Sequence, residues 1–246
     1  MNDAQTAGDA GPLDLRIDSK AYRSADGEPV DVIRDLALHL DAGEFGALIG
    51  PSGCGKTTIL KIIAGLDRDF SGDCRVPGRG RLGVVFQEPR LLPWRSVEDN
   101  IRLAMPDGEA PVALDELVTT LGLREHLGRY PGELSLGLAR RAAIARAFAI
   151  RPDFLLLDEP FVSLDEITAA RLRDELLALT MRERVTTLMV THDIEEAAIL
   201  ADRLVLLSGR PARIVRNHRI AVPRGSRDRA DIAAIAAEMR LHVAQG

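Results

Sequence analysis

The chain has 246 residues, a net charge of −5, two cysteines and 46% hydrophobic residues, which suits a packed globular protein and argues against a broad nucleic-acid footprint. No run approaches the roughly 18 apolar residues of a membrane-spanning helix, and Met1–Gly11 lacks the basic and apolar regions of a signal peptide, so a cytoplasmic chain is expected. Cys54 and Cys74 suit a reducing compartment, because a disulfide between them has no evident structural use.

Residues 1–12 are small and polar and are expected to form a disordered tail. From Leu13, apolar and polar residues alternate through Leu15 and Ile17, and again through Leu36, Leu38 and Leu40, predicting half-buried antiparallel strands. Ser24–Pro29 reads as the turn between them. Later apolar runs do not alternate: Ala47–Ile49, Val84–Phe86, Phe154–Leu157, Leu188–Val190 and Leu204–Leu207. Such runs fit a parallel sheet covered on both faces. Ala169, Leu172, Leu176 and Leu179 recur at helical spacing, so strands and helices alternate as in an α/β nucleotide-binding core. Residues 97–150 show helical spacing without a convincing strand and are expected to form an inserted helical subdomain. The main domain is expected to span 13–223, and 224–246 to form a helical extension, with Ile232, Ile235, Ala236 and Met239 on one helix face.

Gly50-Pro51-Ser52-Gly53-Cys54-Gly55-Lys56-Thr57-Thr58 joins an apolar run to a helical one, the strand–loop–helix context of a phosphate-binding loop. The glycines allow the backbone N–H groups to turn inward, and the helix N-terminus adds a positive dipole end. Lys56 is placed to reach the β and γ phosphates of a nucleotide, and the Thr57 hydroxyl to ligate an accompanying Mg²⁺.

Phe154-Leu-Leu-Leu-Asp158-Glu159 is an apolar strand ending in two carboxylates at the sheet edge where the loop opens. Asp158 is the candidate magnesium ligand, and Glu159 the candidate general base for a water attacking the γ phosphate. Gln87 and His192 each follow a strand. The Gln87 amide oxygen is a candidate contact to magnesium or the water, and His192 a candidate partner of the γ phosphate. Ser163-Leu-Asp165 follows the carboxylates.

In this order the chain resembles the ATPase subunits of ATP-binding cassette (ABC) transporters from about Leu13 to Pro223. The resemblance covers the phosphate loop, the Gln87 loop, the signature Leu134-Ser135-Leu136-Gly137-Leu138, the Asp158-Glu159 strand, the Asp165 loop and the His192 switch. It implies an α/β fold with a RecA-like core, an N-terminal antiparallel β subdomain and an inserted helical subdomain. Tyr22 resembles the family's adenine-stacking aromatic. Phe86–Trp94 looks like the Gln loop of nitrate, sulfonate and taurine importers, with Leu91–Trp94 expected to line a groove for a membrane subunit. The resemblance also implies ATP and Mg²⁺ as ligands and a second identical ATPase subunit whose Ser135 and Gly137 close over the first subunit's γ phosphate. Permease subunits would hold the chain on the cytoplasmic membrane face, an extracytoplasmic solute-binding protein would act indirectly, and nucleic acid has no part. The alternatives are an ABC ATPase of another transport system, such as lipid transport, and, after it, a non-transport ABC ATPase. Two residues depart from the family's Leu-Ser-Gly-Gly-Gln signature: Leu136 replaces its first glycine and Leu138 its glutamine.

Overall fold

The computed structural model describes residues 11–78, 81–106 and 111–243. Residues 1–10 of the expected tail lie outside the described residues, and the Gly11 carbonyl already accepts a hydrogen bond from Thr186 Oγ1 at 3.0 Å.

Strands β1 (Leu13–Arg23) and β2 (Pro29–Leu40) pair antiparallel, with Leu13 opposite Leu40, Leu15 opposite Leu38 and Ile17 opposite Leu36. The period-two pattern therefore puts one apolar row inward. The connecting turn closes through Ser24 N–H to Glu28 O at 2.8 Å and Gly27 N–H to Ser24 O at 3.0 Å. A third strand that the apolar pattern does not reveal, β4 (Ser71–Arg75), joins the other edge of β1, since its Ser-Gly-Asp-Cys-Arg sequence has no alternation to read.

The second sheet has six strands in the order β5-β6-β7-β3-β8-β9: β3 is Phe45–Ile49, β5 Leu82–Val85, β6 Phe154–Asp158, β7 Thr186–Thr191, β8 Arg203–Leu207 and β9 Ile214–Arg219. Five run parallel, while β9 returns antiparallel along β8 and was not expected. The expected strand over Val84–Phe86 begins at Leu82 and ends at Val85. The parallel strands lack alternation because both faces are covered. Phe45, Ala47, Ile49, Leu155, Leu157 and Met189 enter one apolar cluster, and Leu48, Phe154, Leu156, Leu188 and Val190 the other. Removing one such side chain, as in Leu156→Ala, costs about 2–5 kcal/mol.

Helix α1 (Lys56–Ile63) follows β3. Between residues 97 and 150 lie α2 (Val97–Arg102), α3 (Pro111–Thr120) and α4 (Leu136–Ala149), with no strand among the described residues there. Ser135 caps α4, and α5 (Glu166–Glu183) is capped by Asp165, whose carboxylate accepts from Thr168 N–H at 3.0 Å. Ala169, Leu172, Leu176 and Leu179 of α5 are all buried, as their spacing predicts. Helix α6 (Ile194–Leu200) follows β7, and α7 (Arg229–Val243) packs against it with Ala236 and Met239 buried.

Sheet register sets the site. Asp158 stands opposite Val190, Val190 opposite Leu48, and Val85 opposite Leu157, so the C-terminal ends of β3, β5, β6 and β7 finish within a residue or two of one another. Each loop that follows opens on one crevice.

Candidate nucleotide site

The crevice is a cavity of about 380 Å³ lined by Ser52, Gly53, Gly55, Lys56, Thr57, Thr58, Gln87, Asp158, Glu159, Val190 and Arg210. Gly53 (φ 76°) and Gly55 (φ 127°) take left-handed backbone conformations that disfavour any side chain. The N-cap Gly55 supplies no side-chain hydrogen bond, which leaves the first N–H groups of α1 for an anion. Lys56 is buried, and its Nζ donates to Gly50 O at 2.7 Å and to Pro51 O at 3.0 Å. Cys54 is also buried and joins the core cluster beneath the loop, so only its backbone is available to a ligand.

Burial and the neighbouring Glu159 raise the Asp158 carboxyl above its ordinary pKa, and Lys56 partly offsets them. A cation beside Asp158 would relieve that strain. The Thr57 hydroxyl, the Gln87 amide oxygen and the Asp158 carboxylate are the hard oxygen donors that magnesium prefers. One carboxylate, one amide oxygen and one hydroxyl are too few for an all-protein cage and match the sparse protein ligation of a Mg²⁺ completed by nucleotide phosphates.

Glu159 also has a left-handed backbone (φ 45°), anchored by its N–H to Val190 O at 2.8 Å. Its carboxylate thereby points to His192, whose Nδ1 lies 3.2 Å from Glu159 Oε2. Thus the predicted Gln87, Asp158, Glu159 and His192 come together with the loop.

Tyr22 lies beside this cavity, not in it. It lines a second cavity with Ala21, Arg23, Pro29 and Asp69, and its hydroxyl donates to Asp67 Oδ2 at 2.8 Å and sits 3.5 Å from Thr58 Oγ1. Lys20 Nζ stands 4.5 Å over the Tyr22 ring centroid and donates to Asp67 Oδ1 at 2.9 Å. Burial alone would raise the Asp67 carboxyl, but hydrogen bonds from Lys20 and Tyr22 outweigh it and hold the group low.

Ser135 and Gly137 do not line the cavity of their own chain. Ser135 Oγ accepts from Leu138 N–H at 3.3 Å as the α4 cap, and Leu136 is 41% exposed beside it. Gly137 is buried against α5, where an added Cβ would stand 2.7 Å from Thr168 Cγ2.

Several functional neighbours carry no motif. Arg140, buried on α4, donates from Nη1 to Glu159 O at 3.0 Å and from Nη2 to Val162 O at 2.5 Å. Arg146, two turns on, donates to the Pro89 and Arg90 carbonyls. The helix that follows the signature is thereby tied to the carboxylate loop and the Gln87 loop. Asn100 is fully buried and bonds the backbone of Leu92, Arg95 and Ser96, which holds a turn bearing Trp94 at 71% exposure. Leu91 packs against the core, so the exposed part of the expected apolar lining is Pro93 and Trp94.

The ABC transporter family profile matches residues 33–162, which span the phosphate loop, the signature and both carboxylates. The chain belongs to the ABC transporter ATPase family. It is 43% identical to the aliphatic sulfonates import ATP-binding protein SsuB 2 of Burkholderia cenocepacia (strain HI2424), over 96% of this chain and 88% of the relative. Against the aliphatic sulfonates import ATP-binding protein SsuB of Bacillus subtilis (strain 168) identity is 42%, over 81% of each chain. Among solved structures it is similar to the ATP-binding cassette MJ0796 in a dimeric post-hydrolysis state bound to ADP and Pi, with a TM-score of 0.73 and 25% identity over 86% of this chain and 100% of that one. This ABC ATPase therefore binds and hydrolyses ATP on an α/β cassette fold. No helix among the described residues is long and apolar enough to cross a membrane.

Proposed function

We propose that this ABC ATPase powers uptake of a small organosulfur anion of the alkanesulfonate or taurine type, or of nitrate, through separate permease subunits. The carrying observation is the joining of Lys56, Thr57, Gln87, Asp158 and Glu159 in one cavity, in a chain whose most similar relatives include sulfonate-import ATPases over nearly its whole length.

ATP would lie along the loop, with backbone N–H groups of the glycine-rich turn and of the first turn of α1, together with Lys56, on its phosphates and Tyr22 stacked on its base. Thr57, Gln87 and Asp158 would hold Mg²⁺, which when bound offsets charge on the β and γ phosphate oxygens. Glu159 takes a proton from the attacking water as the water oxygen bonds to the γ phosphorus and the bond to the ADP oxygen breaks. His192 orients Glu159 and meets the γ phosphate. A second copy of the chain completes the site with Ser135 and Gly137, so hydrolysis requires a dimer. Trp94, on the turn braced by Asn100, offers permease subunits an apolar foothold at the cytoplasmic face of the membrane. An extracytoplasmic solute-binding protein would deliver the solute to those subunits without touching this chain.

The test is deletion of the gene and complementation, with growth measured on single alkanesulfonates, taurine or nitrate as the only sulfur or nitrogen source. Loss of growth on one of these, restored by the parental gene but not by Glu159→Gln, is expected. Undiminished growth and uptake on all of them would assign the subunit to another cargo, lipid transport being the first alternative.

A further inference from the structure

One wall of the nucleotide cavity comes from outside the strand ends and outside every motif above. Arg210 sits in the turn between β8 and β9, and its Nη2 donates to Gly53 O at 3.1 Å, across 157 residues of chain. The turn that presents it is fastened at several points. Ala212 N–H donates to Val32 O at 2.8 Å, Arg34 N–H to Ala212 O at 3.1 Å, and Arg213 N–H to Ser208 Oγ at 3.0 Å. Ala212 is fully buried, and its Cβ lies 3.5 Å from where a Cβ on Gly55 would stand, so the turn packs directly on the phosphate loop. Arg210 is thus an exposed guanidinium on a fixed support in the wall of the proposed nucleotide cavity.

Charge balance gives it a purpose. Without Arg210 the ionisable lining is Lys56 against Asp158 and Glu159, one positive charge facing two negative ones. Before the α1 N–H groups and a bound Mg²⁺ are counted, those side-chain charges carry one net negative charge toward a polyphosphate. With Arg210, two cations face two carboxylates. The bond to Gly53 O uses one donor of the guanidinium fork and leaves others for phosphate oxygens, the geometry to which arginine is suited.

We propose that Arg210 is a second phosphate-binding cation of the nucleotide site, supplied by the β8–β9 turn and acting on the triphosphate together with Lys56. The proposal rests on the reading of this cavity as the nucleotide site. It would make the grip on ATP depend on a hairpin anchored to β2.

The experiment is calorimetric titration of the full chain and of Arg210→Gln and Lys56→Ala with ATP and ADP at low and high salt. Glutamine keeps an N–H donor for Gly53 O but removes the charge, so a purely bracing role predicts parental affinity. We expect Arg210→Gln to weaken ATP about three- to tenfold at low salt, ADP by less, and both losses to shrink at high salt. Parental affinity for both nucleotides, or an equal salt-independent loss for both, overturns the proposal. If Lys56→Ala also leaves ATP binding unchanged, the nucleotide reading of the cavity falls and the proposal with it. A loss in Lys56→Ala beside parental binding in Arg210→Gln refutes the role of Arg210 alone.

Discussion

His192 Nδ1 lies 3.2 Å from Glu159 Oε2, at the ends of neighbouring strands β7 and β6. The carboxylate is one-fifth exposed and its backbone is locked to Val190, whereas the imidazole is 60% exposed and has its second ring nitrogen free to meet a ligand. The glutamate is thus built in, and the histidine is the solvent-facing partner. Glu159→Gln keeps size and hydrogen bonding but removes the base, so turnover should fall by about 10²–10⁴ while ATP still binds. An ATP-bound dimer should then accumulate on size exclusion. His192→Ala should lower kcat more than it changes ATP affinity. Parental hydrolysis in Glu159→Gln would move the base to another residue.

Lys56 is held on the Gly50 and Pro51 carbonyls, so its ammonium is already desolvated beside the place a phosphate takes. Lys56→Ala should weaken ATP by tenfold or more, since a charge-assisted contact contributes about 1.5–3 kcal/mol. Calorimetry on a variant with a parental circular dichroism spectrum checks it, and unchanged affinity would remove the phosphate-loop assignment.

The motifs and the strands were legible for one reason and the bracing residues illegible for another. Phe154–Leu157 and Leu188–Val190 announce themselves because burial on both faces demands unbroken apolar runs, and the carboxylates follow directly in sequence. Strand β4 is polar, and β9, Ile-Val-Arg-Asn-His-Arg, is mostly exposed, so neither leaves such a trace. Arg140, Arg146, Asn100 and Arg210 all bond to backbone carbonyls. A carbonyl is present at every residue, so nothing in the partner's sequence marks the contact. Only the fold reveals it.

Lys20 and Asp67 form a buried ion pair beneath Tyr22, with the Lys20 side chain 1% exposed and Asp67 13%. Lys20→Met strips Asp67 of its cation and should destabilise the protein by about 1–3 kcal/mol at neutral pH. The folded Asp67 carboxyl is held below its ordinary range, so its contribution is complete above about pH 5 and is lost as pH falls through the folded value. The Lys20 ammonium is raised instead, burial being outweighed by Asp67, and its contribution persists until pH rises past its folded value above about 10.5. Urea titrations of parent and variant should therefore differ constantly between about pH 5 and 10 and converge in stronger acid. A gap that stays constant into strong acid would show the loss to be packing alone.

Ser135 caps α4 and, in the proposed dimer, would also meet the partner's phosphate, and a pair of substitutions separates the two. Ser135 Oγ caps α4, so Ser135→Ala should cost about 1 kcal/mol of stability as well as any contact to the partner's phosphate. Ser135→Asp keeps an N-cap but sets a negative charge against that phosphate. It should melt near the parental temperature and yet lose most ATPase activity, with binding of ATP to monomers intact. Parental activity in Ser135→Asp would remove the signature from the site.

Leu136 and Gly137 should respond in opposite senses, although both stand in the family's glycine pair. Leu136 is 41% exposed, so Leu136→Gly should leave hydrolysis equal or faster and cost only helix propensity, about 1 kcal/mol or less at this first turn. At Gly137 the helix itself would welcome alanine by about 1 kcal/mol, but the new methyl would press within 2.7 Å of Thr168 Cγ2, and overpacking of this kind costs about 1–3 kcal/mol. Gly137→Ala should therefore melt earlier and turn over more slowly, because α4 must move off α5 and takes Arg140 and its grip on the Glu159 carbonyl with it. Thr168→Ser removes the clashing methyl. The double variant Gly137→Ala/Thr168→Ser should recover stability and turnover beyond the sum of the single effects, and a purely additive double-mutant cycle would show that the close approach of the two helices is not what fixes the glycine.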